Sequence, residues 1–549
     1  MVWLTFMFHV FAGGISLTYT VKRYHEDPRI FSLITTLSVI IMVGPFISYI
    51  SDNIWTKIGR RKPFVLIAYA AGAWGMAALA FLPQITTFLQ PIAHFLGLPS
   101  LTEPILLVAI IVSYTTLMDL QAPLEPLLLE CVPPKQRGRF FALRSILGSI
   151  ASFYFYQLLW PVYDIPLDII SWMGLPANVL ILTGEQIVYL IAACLYLISC
   201  FIIVVLIEEV KRPDSPNKRI QDLGVVKFAV SYVKDVFMTK EIYPFYIVMV
   251  IPGLAGAVWG SLDAVMKTDQ FLYTKGDMSL MGLPSILLSI FILSPFAGWY
   301  SDRKPEIRNS VLVLIGLVSI ACFASVVPYY SAVKPVDSAS LPDIYHCIGM
   351  SLLVALGGMG VFVIIVEIVS RRSDRIYMRI WISLIAIIKD FIMQLCFFLY
   401  LQFVAVDSIP PITLWMIMTQ TAGSLGVMIG ICVGPMIYEY IPRNKLGTVL
   451  AGKGLMEGVL RFGVGMLGAS WVVYWSRHIH KPDHATYDYT SLYVIQMLLY
   501  VPAIIAQFWF LRQVLSGRIK PSGILEVDIE AKNHFINAEK GSDSETKAK

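Results

Sequence analysis

Three ionisable residues, Lys453, Glu457 and Arg461, occur inside one apolar stretch of the chain. Their spacing of four residues places them along a single stripe of an α-helix. An ionisable group at bilayer depth costs about 2.5–3.5 kcal/mol on insertion scales, so charges there are rare and each is a functional candidate. A carboxylate between two cations could bind an acidic ligand, pair with another part of the protein, or take up a proton. The alternative is a structural ladder of ion pairs.

A second apolar stretch carries polar residues around a proline. Asp119 and Glu125 lie on different faces of a helix, with Gln121 and Pro123 between them. Proline removes one backbone hydrogen bond of a helix, which leaves a carbonyl that polar neighbours or a ligand can use. Of the two acids, Asp119 is the better candidate to face an interior cavity.

Two further charged pairs lie in apolar stretches. Asp263 and Lys267 are one helical turn apart and are predicted to pair at the mouth of an internal pathway. Lys389 and Asp390 are adjacent and point about 100° apart on a helix, so they need not pair with each other. We assign this second pair a structural role.

The elements that carry these residues are predicted to be membrane-spanning helices. Of the 549 residues, 57% are hydrophobic and 14% are charged, and the mean hydropathy is +0.70. A soluble domain needs a polar shell, so this composition indicates lipid as the surrounding medium. Apolar runs of the roughly 20 residues that cross a bilayer recur along the chain, whereas a spanning β-barrel would alternate in polarity. The fourteen predicted spans lie near residues 1–20, 29–51, 63–83, 103–130, 139–163, 186–208, 242–265, 281–300, 309–330, 344–369, 378–403, 411–440, 446–475 and 488–513.

Lysine and arginine mark one side of this predicted bundle. Alternate loops hold basic clusters, as in residues 57–62, whereas residues 84–102, 164–185 and 404–410 contain neither residue. Basic loops stay in the cytoplasm, so this side is predicted to be cytoplasmic, together with both termini. We expect a multi-pass protein of the cytoplasmic (inner) membrane of a bacterium. No basic segment precedes the first apolar run, so no signal peptide is predicted.

Two sequence patterns each occur twice, in the same order. The first is Pro45-Phe46-x-x-Tyr49-x-Ser51-Asp52, which returns as Pro295-Phe296-x-x-Trp299-x-Ser301-Asp302. The second is Glu130-x-Val132-Pro133-x4-Gly138, which returns as Glu439-x-Ile441-Pro442-x4-Gly447. The patterns match spans seven to nine with one to three, and spans twelve to fourteen with four to six. Spans ten and eleven are left without a counterpart.

This internal repeat predicts the domain organisation. The predicted parts are an N-terminal six-helix half at 1–208, a cytoplasmic loop at 209–241, a C-terminal half at 242–513 and a cytoplasmic tail at 514–549 that is expected to be disordered. The unmatched hairpin, residues 344–403, is predicted to pack outside the two halves. By the second pattern Lys453 corresponds to Arg144, and these two cations are predicted to face each other across a central cavity.

The loop after the second span carries a family resemblance. It reads Ser51-Asp52-x6-Gly59-Arg60-Arg61-Lys62-Pro63-Phe64. This resembles the loop motif of the major facilitator superfamily, with a spacing closest to sucrose transporters and to glycoside–pentoside–hexuronide cation symporters. The resemblance implies an all-α polytopic membrane protein with the major facilitator fold, two six-helix halves, here with an inserted two-helix hairpin. An acid at one helix end and a basic cluster on the next can pair across the cytoplasmic face and separate when that face opens. Asp302 and Arg308 occupy the equivalent place after span eight.

Shorter matches extend the resemblance, and three departures limit it. Gln121-x-Pro123-x3-Leu127-Leu128-x-Glu130 and Thr268-Asp269 are similar to stretches of sucrose transporters. However, Tyr114 stands where those transporters carry an aspartate, and Glu125 stands where an arginine is expected. The sodium-coupling acids of glycoside symporters are absent around Ile40 and Gly44. Sugar identity and coupling ion therefore stay open.

The resemblance implies a secondary active transporter that needs no cofactor. We expect proton-coupled symport of a sugar or glycoside by a monomer in the lipid bilayer, with no nucleic-acid partner. A permease for another polar solute, such as a muropeptide or a drug, and a non-transporting membrane sensor with the same fold are the alternatives. The sequence contains no phosphate loop, HExxH or nucleophile elbow, so an enzyme or an ATP-driven pump is not expected. His478, His480 and His484 are assigned to a solvated surface rather than to a metal site.

Overall fold

Helices dominate the part of the chain that the structure describes. The computed structural model describes residues 2–24, 26–30, 32–34, 44–53, 56–95, 97, 102–124, 127, 137–168, 181–207, 227, 230, 233–234, 236–238, 243–259, 262–302, 349, 375–403, 415, 446–479, 485–516 and 518. Within these residues, seven helices are long and apolar enough to cross a membrane: Val2–Lys22, Lys62–Ala80, Thr102–Gln121, Gly184–Leu206, Tyr243–Gln270, Lys275–Trp299 and Tyr489–Leu515. The chain is therefore an all-α, multi-pass membrane protein.

The predicted N-terminal half contains seven described helices and one small β-ribbon. The helices are α1 (Val2–Lys22), α2 (Gly44–Asn53), α3 (Lys62–Ala80), α4 (Leu82–Phe95), α5 (Thr102–Gln121), α6 (Arg137–Phe153) and α7 (Gly184–Leu206). A π-helical turn, Phe11–Ser16, lies within α1, and a second, Tyr154–Leu159, continues α6. Strands β1 (Pro166–Asp168) and β2 (Ile181–Thr183) pair antiparallel just before α7.

The predicted C-terminal half is also built of helices. Its described helices are α8 (Tyr243–Ala257), α9 (Leu262–Val265), α10 (Lys275–Leu288), α11 (Ser294–Asp302), α12 (Arg375–Phe403), α13 (Leu446–His478) and α14 (Leu492–Leu515). The π-helical turn Met266–Gln270 continues α9, and Ser289–Leu293 joins α10 to α11. Single π-turns inside helices are frequent at functional sites. Each of these four π-turns lies in a helix that meets the opposite half.

Capping boxes fix where two of these helices begin. At α7, Thr183 Oγ1 accepts from the Gln186 backbone N–H at 3.3 Å, and Gln186 Oε1 accepts from the Thr183 N–H at 3.0 Å. At α10, Thr274 and Asp277 make the same reciprocal pair at 3.1 and 2.9 Å. These bonds satisfy backbone donors that have no partner inside the helix, and they place Lys275 in the first turn of α10.

One predicted loop is helical. The prediction of a loop over residues 84–102 is wrong in its first part, because α4 runs from Leu82 to Phe95. Threonines and glutamines lower the mean hydropathy of this segment, but its apolar residues keep a helical spacing. Phe88, Ile92 and Phe95 form an exposed stripe on α4. Such a stripe is typical of a helix that lies in the membrane interface.

The described helix of the predicted inserted hairpin is α12. It packs along α14, and Ile387 contacts Ala255 of α8 together with Tyr500 and Ala503 of α14. These contacts place α12 on the side of the C-terminal half formed by α8 and α14. Most of residues 344–374 lies outside the described residues, so the predicted position of the whole hairpin outside the two halves stays a prediction.

Two helix pairs join the predicted halves. The α6 helix packs along α10 and α11, and α2 packs on α13. Under the repeat, α2 corresponds to α11 and α6 corresponds to α13, so each contact is the counterpart of the other. Contacts inside the halves follow the same rule, because α1 packs on α6 and α7 while α8 packs on α13 and α14.

Equivalent residues also bond in equivalent ways. Pro45 and Pro295 are 250 positions apart, so Thr20 of α1 corresponds to Gln270 at the end of α9. Thr20 Oγ1 donates to Glu185 at 2.5 Å, and Gln270 Nε2 donates to Asp488 at 2.9 Å. Both acids are buried, and each lies where the last helix of its half begins. A buried hydrogen bond to an acid therefore links the first and last helices of each predicted half.

Candidate functional site

The charged stripe of α13 has the geometry that its spacing predicts. Glu457 forms an ion pair with Arg461 on one side, and its Oε2 lies 3.5 Å from Lys453 Nζ on the other. The Glu457 side chain is 15% exposed, whereas that of Arg461 is 49% exposed. The carboxylate is therefore shielded, while a guanidinium beside it can still be reached. This arrangement can stabilise a negative charge in an apolar helix. An ion pair of Glu457 can also break when a proton binds the carboxylate or a solute binds the cation.

A glycine of α8 lies directly against this stripe. A Cβ atom at Gly253 would lie 3.4 Å from Glu457 Oε1 and 3.5 Å from Arg461 Nη2. The α8 backbone therefore passes close to the two charged groups, and a larger side chain at position 253 would press on them. The 250-residue repeat spacing makes Gly253 the counterpart of Trp3.

The N-terminal counterpart of the stripe is built differently. The Arg144 guanidinium of α6 stacks on the Trp3 ring of α1 at 3.6 Å and lies 5.6 Å from the Phe141 ring centre. Both rings belong to the same predicted half as Arg144. Lys453 instead pairs with a carboxylate of its own helix. The two cations are equivalent by position in the repeat, and their facing each other across a cavity stays a prediction.

The polar residues around Pro123 end α5. Asp119 and Gln121 form a 3₁₀ turn, and this turn packs against α2 and α3. The Gly44 position of α2 approaches so closely that a Cβ there would lie 2.8 Å from the Asp119 carbonyl oxygen. Among the described residues, Gln121 Oε1 is a buried oxygen atom without a hydrogen-bond partner, which leaves it available to a ligand. Glu125 lies outside the described residues.

The family-like loop after α2 forms a tight turn. Thr56 Oγ1 donates to the Gly59 carbonyl at 2.5 Å, and the backbone groups of Thr56 and Gly59 form a two-way bridge. Gly59 has φ +128°, a backbone conformation in which residues with a Cβ atom are strained. The motif's glycine therefore makes the turn that delivers the basic residues to the start of α3.

The basic residues of this loop are buried rather than solvated. Arg60, Arg61 and Lys62 are 8%, 2% and 9% exposed, and all three have interaction partners. Burial of three cations requires partners that compensate their charge. The backbones of Asp52 and Asp302 lie in the last turns of α2 and α11. Their side chains, and Arg308, lie outside the described residues, so their pairing with the basic cluster stays a prediction.

At the predicted outer end, ion pairs connect the two halves. Lys22 at the end of α1 pairs with Asp269, and Lys275 of α10 lies 2.6 Å from Asp164. Tyr19 adds hydrogen bonds to the Ala264 carbonyl at 3.0 Å and to the Thr268 hydroxyl at 3.1 Å. These contacts close the bundle at this end. The predicted pair Asp263–Lys267 is confirmed next to them, at 2.6 Å.

Side-chain hydrogen bonds also join α6 to α10 and α11. The Ser149 hydroxyl donates to the Ser289 hydroxyl at 2.7 Å, and the Ser294 hydroxyl donates to the Ser145 hydroxyl at 3.0 Å. The Gln157 amide donates to the Ser279 carbonyl at 2.6 Å. We call these residues the serine seam. Near its predicted cytoplasmic end, a cavity of about 360 Å³ opens between α6 and α11. Gly298 permits this close packing, because a Cβ there would lie 2.6 Å from the Ala142 Cβ atom.

Sequence reasoning missed most of the residues that close the outer end. Lys22 and Asp164 follow the ends of predicted spans and Lys275 lies in the predicted loop between spans seven and eight, where charges are ordinary and need no explanation. The Thr268-Asp269 match was the available signal, since it marks an acid at the mouth of the predicted pathway.

Lys389 and Asp390, which helix geometry alone does not bring together, form an ion pair at 2.6 Å because the flexible lysine reaches around the helix to its neighbour.

Comparison with known proteins gives a distant similarity. No family model matches the chain, and no curated protein matches it. The crystal structure of a D-xylose–proton symporter is similar to it with 13% identity and a TM-score of 0.42, covering 93% of this chain and 96% of that one. The major facilitator superfamily proton:xylose symporter XylE bound to 6-bromo-6-deoxy-D-glucose gives the same identity and TM-score, over 93% and 94% of the two chains. A TM-score of this size leaves large differences in helix placement, so function is inferred from the contacts of this chain itself.

Proposed function

We propose that this chain is a secondary active transporter of the major facilitator type. It moves a small polar solute, a sugar or glycoside, together with protons, by opening alternately to the two sides of the membrane. The observation that carries the proposal is the set of ion pairs that join the two halves at one end, Lys22 with Asp269 and Lys275 with Asp164.

These ion pairs suit a closure that must reopen in every cycle. Each one joins a residue of the predicted N-terminal half to a residue of the C-terminal half, so both must break before this end can open. Partly exposed ion pairs contribute about 1 kcal/mol or less. Several such contacts together stabilise the closed arrangement. When the halves separate, water can replace each partner of the broken ion pairs.

The two equivalent helix contacts give the halves a surface on which to move. The pairs α6 with α10–α11 and α2 with α13 are helix contacts between the predicted halves. Rigid halves that rock on such paired contacts expose a central site first to one side and then to the other. Each half is held together by its own buried tie, Thr20 to Glu185 and Gln270 to Asp488, which favours movement as a unit.

Glu457 is the proposed coupling group. It lies on α13, which contacts α2 of the other half, and it is shielded by Lys453 and Arg461. A proton on Glu457 would release both cations, so protonation and the pairing of the stripe are linked. A sugar hydroxyl can accept from the half-exposed Arg461 when that pairing is loosened, which couples solute binding to the proton.

Uptake into proteoliposomes tests this function. We expect radiolabelled sugars or glycosides to accumulate when the outside is more acidic than the lumen, and to equilibrate without accumulation when the pH difference is collapsed by an ionophore. Accumulation of a muropeptide or a drug, with no sugar transported, would favour the alternative permease. Failure of every solute class to enter, by a protein that is folded and oriented, would instead favour a non-transporting sensor.

A further inference from the structure

The ammonium group of Lys275 lies inside a cage of aromatic rings. Its Nζ atom is 4.1 Å from the Tyr163 ring centre and 5.1 Å from the ring centres of both Tyr19 and Trp160. The Asp164 carboxylate lies 2.6 Å from the same atom. Aromatic faces attract cations, and cages of several rings beside a carboxylate recognise alkylammonium groups. Lys22, the other lysine at this end, is 5.9 Å from the Tyr19 ring and pairs with Asp269 instead.

The cage is assembled within the N-terminal half. Trp160 and Tyr163 are 0% and 1% exposed, with their ring centres 5.0 Å apart, and Tyr19 packs edge-on against Trp160 at 5.2 Å. The Tyr163 hydroxyl donates to the Ser16 carbonyl of α1 at 3.2 Å. These contacts do not involve Lys275. The rings are therefore held in place by their own half, although the Tyr19 hydroxyl also bonds to the opposite half.

The cation in the cage comes from the other half. Lys275 is the first residue of α10, and the Thr274–Asp277 capping box fixes its backbone there. Separation of the halves at this end must withdraw Lys275 and leave the rings behind. Asp164 is 69% exposed even when the cage is filled, so the emptied cage would open towards solvent.

We propose that the rings of Tyr19, Trp160 and Tyr163, with the Asp164 carboxylate, form a binding site for a small quaternary ammonium ion. In the closed arrangement Lys275 occupies this site. When the outer end opens, an ammonium ion from that side takes the place of Lys275 and keeps the end open. The proposal rests on the proposed function only for this opening, because binding to an emptied cage needs no transport.

Binding of tetramethylammonium to the purified full-length protein in detergent tests the site. In the Lys275→Ala variant the cage is empty, and we expect saturable binding in calorimetry that is about tenfold tighter than in the wild type, where Lys275 competes. Uncharged tert-butyl alcohol, of similar size, should show no saturable binding. If the alanine variant is poorly folded, Lys275→Met keeps the aliphatic chain and serves the same purpose.

Two further variants separate the cage from a general effect of loosening this end. Lys22→Ala removes a neighbouring ion pair but leaves Lys275 in place to compete for the cage, so it should gain much less affinity than Lys275→Ala. Adding Asp164→Asn to Lys275→Ala changes an exposed residue and should weaken tetramethylammonium binding severalfold. Absence of saturable binding by the Lys275 variants, an equal gain in Lys22→Ala, or an unchanged affinity in the double variant would each overturn the proposal. Because these are binding measurements, failure of solute uptake would leave their outcome unaffected.

Discussion

The two equivalent contacts between the halves differ in chemistry. The α6 contact with α10 and α11 is joined by the hydroxyl groups of the serine seam. At the α2 contact with α13, the second pattern makes Gly454 and Gly458 the counterparts of Ser145 and Ser149. The charged stripe occupies this second contact helix, where α6 carries Gly148 and Ser152 in place of Glu457 and Arg461.

If the two predicted halves move as proposed, this difference gives the two contacts different roles. Small residues let helices approach and slide, whereas hydroxyl pairs hold a register with bonds that water can replace. Under the proposed function, the seam is suited to align the halves, and α13, whose charged stripe lies against Gly253 of α8, is suited to carry the coupling charge. The α1 and α8 counterparts agree with this division, since bulky Trp3 covers Arg144 while Gly253 leaves room for Glu457.

Among variants outside the charged stripe itself, the largest effect is expected from filling the space beside the stripe. Gly253→Leu should displace the Glu457 and Arg461 side chains and lower gradient-driven uptake by about tenfold or more, because it separates a shielded carboxylate from its cation. The matched control is Gly256→Leu on the same helix, where an added Cβ would meet no atom within 4 Å. Equal losses of uptake in the two variants would show that Gly253 has no special relation to the stripe.

An intermediate effect is expected from the ion pairs at the predicted outer end. These pairs join the two predicted halves, so breaking one of them affects both helix contacts between the halves. Lys22→Asp should open this end more often and raise the labelling rate of a cysteine introduced there by about two- to fivefold, the range expected for a partly exposed ion pair. The exchanged pair Lys22→Asp with Asp269→Lys should return the labelling rate towards the wild-type value. If the double variant labels as fast as the single variant, the two residues do not act as a pair.

The smallest effect is expected from the seam itself. Ser149→Ala removes one hydrogen bond between the halves and should lower the free energy of unfolding by about 0.5–1.5 kcal/mol. Ser152→Ala is the control, because the Ser152 hydroxyl donates to the Gly148 carbonyl of its own helix at 3.1 Å. Thermal unfolding in detergent measures both variants, and a Ser152→Ala loss as large as that of Ser149→Ala would contradict the role of the seam.

The seven described spans and the charged stripe could be predicted because both depend on local spacing, while the total of fourteen spans stays a prediction. Glu457 and its two cations are four residues apart on one helix, so the helical period alone brings them together. The repeat patterns predict which helices correspond, and the contacts of α2, α6, α11 and α13 follow that correspondence.

Pairing between distant segments lies beyond such reasoning. Lys22 and Asp269 are brought together by the packing of two halves, and nothing in either local sequence selects the other as partner. The aromatic cage has the same origin, since Lys275 and Trp160 belong to different halves. The α4 helix was missed for another reason, because hydropathy averages hide an amphipathic stripe such as that of Phe88 and Phe95.

The most direct test of the central claim is the Glu457→Gln variant in proteoliposomes, assayed for accumulation and for exchange in the same preparation. Exchange of labelled for unlabelled solute needs no net proton movement. We therefore expect exchange to continue at a rate near that of the wild type, while accumulation driven by a pH difference is lost. Full gradient-driven accumulation by a well-folded Glu457→Gln variant would contradict the account, because the coupling proton would then be carried elsewhere.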